Sequence, residues 1–177
     1  MVSRLRMGLT LASILILVYL MAMGNEFHYP VYVVYFIGVG IVFAWDRTGE
    51  RPLGLVIGGY AVFLLSAFAT TYGWWSEIQG IDNWIHFFAH LIVGYAAALL
   101  WSRWLKGRYL ILAVMATVVL AGFIIELIEA GIWYYFDISM APAGAFYTDT
   151  IDDLLYDIAG GLVGLGLWWF TIDTKQE

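Results

Sequence analysis

The chain has 177 residues, of which 63% are hydrophobic and 12% charged, and its mean hydropathy is +0.83. That balance excludes an ordinary water-soluble domain and places the chain among polytopic membrane proteins. The formal net charge is −6 and no cysteine is present, so neither disulfide bonds nor thiolate metal sites can form.

Runs of about twenty apolar residues predict six spans. They cover roughly 8–24, 30–45, 53–72, 82–101, 109–133 and 151–172. The runs are continuous rather than alternating, which argues for helices and against a closed β-barrel. The expected fold is therefore all-α, one integral-membrane bundle of six transmembrane helices over 1–177. The first span begins with Arg4 and Arg6 and ends in Met21-Ala22-Met23-Gly24, so a cleaved signal peptide is the alternative reading. Its apolar run is long for a signal peptide, and cleavage would leave an odd number of spans. The second span, PVYVVYFIGVGIVFAW, is short.

Orientation follows from the cations. Arg4 and Arg6 precede the first span, Arg47 and Arg51 follow the second, Arg103, Lys106 and Arg108 follow the fourth, and Lys175 follows the sixth. In a six-span chain all of them fall on one side, the cytoplasmic side by the positive-inside rule, with both termini there. The expected location is a plasma (inner) membrane. Trp74, Trp75, Trp84, Trp133, Tyr134 and Tyr135 stand where an outer aromatic belt belongs, and Trp101, Trp104, Trp168 and Trp169 suit the inner one.

The acids segregate the other way. Glu26, Glu77 and Asp137 fall in loops, but the rest of the outer set lies on helices with no Lys or Arg among them. In the fourth span, IDNWIHFFAHLIVGYAAALL, Asp82, His86 and His90 are spaced i, i+4, i+8 and share one stripe. In the fifth, Glu126 and Glu129 are i, i+3 neighbours with Gly122 between them in angle. In the sixth, Asp149, Asp153 and Asp157 form a stripe that continues into Gly160 and Gly164. Small residues four apart mark a face where helices approach closely, so this stripe is expected to face the bundle interior. Asp152 points about 100° away from Asp153 and is expected only to cap the helix. Asp149 taken alone also reads as an N-cap of the last span, and His28, beside Tyr29-Pro30, as unrelated to the cluster.

Counted from the outer ends of their helices, all these groups lie within roughly the first 12 Å at 1.5 Å per residue. An ionised side chain within a span costs about 3 kcal/mol unless it is satisfied. With no cation nearby, protons, an aqueous vestibule or a bound cation must balance the cluster. A metal suits the donors best: His86, His90, Glu126, Glu129, Asp149, Asp153 and Asp157 are the candidate ligands. Mixed imidazole and carboxylate donors favour Zn²⁺, Mn²⁺ or Fe²⁺, as one ion or two, over Ca²⁺.

The three segments DNWIHF, ELIE and DTIDDLLYDIAGGLVG resemble the pattern of YjdF-like bacterial inner-membrane proteins. The matching positions are Asp82, His86, Glu126, Glu129, Asp149, Thr150 and Asp153, within residues 80–165. The looser VanZ-like group, linked to glycopeptide-antibiotic resistance, is similar but has Gln in place of Glu129 and usually Asn in place of Asp157. The resemblance implies a site at these positions and names no reaction.

The leading expectation is a metal-dependent membrane hydrolase that acts from the outer face on a lipid or lipid-linked ester, amide or phosphoester. A metal held by His86 with Glu126, Glu129 or Asp153 would activate water, and a spare carboxylate, Glu126 or Asp82, would serve as general acid or base. Asp82, one turn above His86, would also orient the imidazole. Nothing points to nucleic acid as a partner. Transport or sensing of a divalent cation or proton competes with this reading, but the fourth span turns apolar after His90 and leaves such a path unfinished. A structural or accessory protein whose polar cluster merely fixes helix register is the third reading.

Overall fold

The computed structural model describes residues 4–47, 51–138 and 146–173. Glu50, Lys175, Glu177 and residues 139–145 lie outside the described residues. Among the described residues the chain is helical and contains no strand. The helices are α1 (Arg4–Met23), α2 (Tyr29–Asp46), α3 (Leu53–Tyr72), the short α4 (Trp74–Glu77), α5 (Ile81–Trp101), α6 (Gly107–Phe136) and α7 (Phe146–Asp173). Six of them are long and apolar enough to cross a bilayer, which makes the chain a multi-pass membrane protein by length and composition.

Local chemistry sets the helix ends. The Asn25 side chain accepts from the Phe27 N–H at 3.1 Å and caps a 3₁₀ turn, Glu26–His28, that leads into α2, whose first turn carries Pro30. Gly73 (φ +71°) closes α3 and Gly80 (φ +73°) precedes α5, both in the left-handed region that glycine enters without strain. The segment 72–81, expected as a loop, holds the turn of helix α4. The last two helices outrun their apolar windows. α6 starts two residues earlier and ends three later than expected, and α7 begins at Phe146 rather than near 151. Hydropathy marks where apolar residues stop; helical hydrogen bonding continues through polar ones.

Two compact units divide the chain. The first comprises Met1–Gln79 with Ile132–Met140. In it α1, α2 and α3 pack against one another around Leu17, Leu20, Val31, Tyr32, Val39 and Val56. Buried hydroxyls are paired across helices: Thr10 with Tyr60 at 2.7 Å and Tyr35 with Thr70 at 2.7 Å. Arg6 of α1 pairs with the buried Asp46 at the end of α2 and also donates to the Arg51 carbonyl at 2.7 Å. The start of α1, the end of α2 and the approach to α3 thus meet at one level, where Arg6 and Arg51 stand together.

The second unit comprises Gly80–Gly131 with Ala141–Glu177. Its axis is the pairing of α5 with α7, which run side by side in the same direction. A Cβ added at Gly160 would strike the Phe87 carbonyl, one at Gly164 the Leu91 carbonyl, and one at Gly94 the Gly161 backbone. Glycine at all of these positions lets the two backbones touch, as small residues do between membrane helices. α6 packs antiparallel to α7: Val118 lies against Gly161, and Gly122 against Asp157 and Leu154. Ala97, Ala98, Leu110, Val114, Leu165 and Trp168 fill the far end of this unit. Among the described residues its cations, Arg103, Lys106 and Arg108, sit at the α5–α6 turn, the opposite end from Asp82.

Candidate metal centre

The glycine contacts fix a register, and the register builds the site. With Phe87 against Gly160 and Leu91 against Gly164, the preceding turn of α7 brings Asp153 and Asp157 beside His86 and His90. On the other flank, Gly122 against Asp157 sets Glu126 level with Asp153 one turn further along, and Glu129 near the start of α7. The Thr150 hydroxyl is accordingly a hydrogen-bond partner of Glu126, and Asp149 lies within electrostatic reach of Glu129.

Every charged residue that the sequence pattern assigned to the stripes of α5, α6 and α7 lies in this unit. His90 and Asp157 are fully buried, Asp153 is 1% exposed, and His86 and Glu126 are buried as well. Asp82, Glu129, Asp149 and Thr150 are half-buried around them. Asp152 is exposed, in the second turn of α7, so it faces away as expected but caps nothing. Asp149 is not an N-cap either: the helix begins three residues earlier, and Asp149 occupies its first turn. Its carboxylate still lies near the positive end of the helix. His28 belongs to the other unit.

His86 is the hub. Its Nδ1 lies 3.0 Å from Asp157 Oδ1. Its Nε2 lies 3.9 Å from Asp82 Oδ1 and 3.9 Å from Glu129 Oε1. One turn on, His90 Nδ1 faces the His86 carbonyl at 3.1 Å and Asp157 Oδ1 at 2.5 Å. The two rings are stacked, with centroids 6.2 Å apart and planes 17° from parallel. Several buried polar atoms have no partner: His90 Nε2, Asp82 Oδ2, Glu126 Oε1, Asp157 Oδ2 and both oxygens of Asp153. An orphaned buried carboxylate oxygen costs on the order of 1–3 kcal/mol or more, so such a concentration in one place is a setting that a bound cation would relieve.

His86, His90 and Asp157 lie close enough together to hold a metal ion, and so do Asp82, His86 and Asp153, and His86, Glu126 and Glu129; within each set the donor atoms are within 4.8 Å of one another. The sets differ in the room they leave. Donors bound at about 2.0–2.1 Å in tetrahedral array stand about 3.3 Å apart. The Nδ1–Asp157 separations of 3.0 and 2.5 Å are those of hydrogen-bonded or closer atoms. The 3.9 Å gaps around His86 Nε2 are too long for hydrogen bonds and wide enough to admit an ion.

The spacing of acids and histidines was legible in the sequence, but the two-sided use of His86 was not, because ring orientation depends on the contact with α7. Gly122 is the residue whose role sequence reasoning understated. Its place one turn before Glu126 was the available signal, and its lack of a side chain makes room for Asp157. Compared with family models, with curated proteins and with solved structures, the chain gives no match.

Proposed function

We propose that this protein is a membrane-embedded metal-dependent hydrolase whose ion is held by His86 Nε2 together with carboxylates of Asp82, Glu129 and Asp153. The observation that carries the reading is the pair of 3.9 Å gaps at His86 Nε2, flanked by Asp153, whose two oxygens are buried without a partner. Two imidazoles and six carboxylates (Asp82, Glu126, Glu129, Asp149, Asp153, Asp157) stand together, with Arg103, Lys106 and Arg108 at the unit's other end. A divalent ion answers that imbalance. One nitrogen and several oxygen donors suit Zn²⁺, Mn²⁺ or Fe²⁺. When bound, such an ion supplies Lewis acidity and makes water a competent nucleophile near neutral pH.

The chain's own groups supply the rest. Glu126, with Oε1 unpartnered and Thr150 as its hydrogen-bond partner, is placed to take a proton from water and return it to the leaving group. Positive-inside segregation of the cations supports a reading with both termini on the cytoplasmic side of a plasma membrane and the acids toward the outer side. α6 and α7 contain 30 and 28 residues, more than the roughly 20 that a hydrocarbon core needs, so their acid-bearing ends reach headgroup level. The substrate class is therefore a membrane lipid or lipid-linked ester or amide. Without an Arg or Lys in the site, a phosphoester is the less suitable substrate. A transport path lacks support, because beyond His90 the α5–α7 seam is closed by Gly94 against Gly161 and by Ala97, Ala98 and Leu165. The resemblance to YjdF-like proteins supports the choice of residues and adds no substrate.

The test is to incubate metal-loaded protein with total bacterial lipid extract and lipid-linked precursors and to follow released headgroups or acyl chains by mass spectrometry. The reading expects a metal-dependent product that Glu126→Gln abolishes while metal remains bound. Turnover that survives in Glu126→Gln assigns the proton transfer elsewhere; no turnover of any lipid class by the loaded protein rejects the hydrolase.

A further inference from the structure

We propose that Asp157 is a positioning residue: its Oδ1 accepts the Nδ1–H of both His86 and His90, fixes a proton on Nδ1 of each ring, and turns the Nε2 edge of His86 toward Asp82 and Glu129. The proposal rests on the metal-binding reading only where it makes that Nε2 of His86 a ligand; the placement of the Nδ1 protons follows from the hydrogen-bond partners alone.

Acceptors decide the tautomer. His86 Nδ1 faces Asp157 Oδ1 at 3.0 Å. His90 Nδ1 faces two oxygens, the His86 carbonyl at 3.1 Å and the same Asp157 oxygen at 2.5 Å. A backbone carbonyl can only accept, so His90 must carry its proton on Nδ1. A carboxylate oxygen has lone pairs for two donors, and Asp157 Oδ1 is placed to receive both rings. In water a neutral imidazole prefers the Nε2–H form, so this state is imposed by the fold. The stacking of the rings, with planes 17° apart, follows from their sharing one anchor.

The surroundings of Asp157 fit an anchor better than a ligand. It is fully buried, and its contacts with the rings leave no space for an ion between Oδ1 and either Nδ1. Its other oxygen lies where a Cβ on Gly122 would stand, which closes that side with the α6 backbone. Carboxylate–imidazole pairs of this kind orient metal-binding histidines and raise their basicity, and losing the carboxylate typically weakens metal binding 10–100-fold.

The chain contains three histidines, so His28→Gln leaves only His86 and His90 for ¹⁵N-histidine NMR in detergent. Metal-free protein should show both rings protonated on Nδ1. Asp157→Ala should release at least one to the Nε2–H form, whereas Asp157→Asn, which keeps an accepting oxygen, should preserve the pattern. An Nδ1 without its proton in either ring of the unmutated pair, or an unchanged spectrum in Asp157→Ala, overturns the proposal without recourse to any variant's metal content. In Co²⁺-loaded protein, Asp157→Ala should weaken binding about 10–100-fold and leave the number of ligands seen by X-ray absorption unchanged. Loss of a ligand makes Asp157 a metal donor and overturns it. The expected Nδ1 protons in protein that binds no metal would uphold Asp157 as the anchor and reject the proposed function.

Discussion

His86 Nδ1 lies 3.0 Å from Asp157 Oδ1, across the contact between α5 and α7. That relationship links packing to chemistry, because it exists only where the two backbones touch. Phe87 and Leu91, the residues that follow each histidine, are those whose carbonyls lie against Gly160 and Gly164. Any change that spreads the two helices should therefore damage stability and site together.

Gly164→Leu should do so. A side chain there meets the Leu91 carbonyl and the Tyr95 amide, backbone atoms that cannot rotate away. Overpacking of this kind costs about 1–3 kcal/mol or more. Thermal unfolding in detergent should show a clear loss of Tm, accompanied by loss of metal. Gly166→Ala, on the same helix but with open space around it, should be neutral or slightly stabilising. Equal effects of the two substitutions would refute the close approach.

Gly122→Ala tests the other flank. The added methyl occupies the place of Asp157 Oδ2, so the cost should be about 1–3 kcal/mol. Truncating Asp157 to Ala removes the clash, and the double variant should then be more stable than additivity predicts, by about 0.5–3 kcal/mol. Additive effects in denaturant titrations would separate Gly122 from Asp157.

In the first unit, Arg6→Ala leaves the buried Asp46 without its ion-pair partner. Breaking a buried pair from one side typically costs about 3–5 kcal/mol, and removing both members costs less. Arg6→Ala should thus be less stable than Arg6→Ala/Asp46→Ala, with metal binding per folded molecule unaltered in both. A single variant as stable as the unmutated protein would show that the pair contributes nothing.

Asp152 and Asp153 are neighbours in sequence with opposite surroundings, one exposed and one 1% exposed. Asp153→Asn should abolish or greatly weaken metal binding, and Asp152→Asn should change neither affinity nor Tm measurably. Isothermal titration with Zn²⁺ or Mn²⁺ distinguishes them. Matching losses in both variants would point to general charge rather than a shaped site.

Much of this was legible in the sequence. Six apolar runs gave six helices, since a span must satisfy its backbone internally and leave its apolar side chains outward. The i, i+4 spacing of Asp82, His86 and His90, and the continuation of the Asp153–Asp157 stripe into Gly160 and Gly164, correctly identified the packed faces. Register was not legible. Periodicity says which face of α7 is buried, but only the backbone contacts of Gly160, Gly161 and Gly164 say which aspartate meets which histidine. Periodicity alone left Asp149, Asp153 and Asp157 on one stripe without distinction, whereas in the structure Asp157 makes both histidine contacts and both oxygens of Asp153 are without a partner. The start of α7 was missed for a different reason. Phe146 to Thr150 is polar enough to end an apolar window yet forms helix without difficulty, which turned an expected cap, Asp149, into a member of the first turn.

The central claim is a divalent ion at His86 Nε2, and elemental analysis of detergent-purified protein tests it most directly. After loading with Zn²⁺, Mn²⁺ or Fe²⁺ and removal of excess, the folded chain should retain one ion of at least one of these metals, and His86→Ala and Asp153→Asn should retain none. Folded, unmutated protein that emerges metal-free from all three loadings would contradict the account.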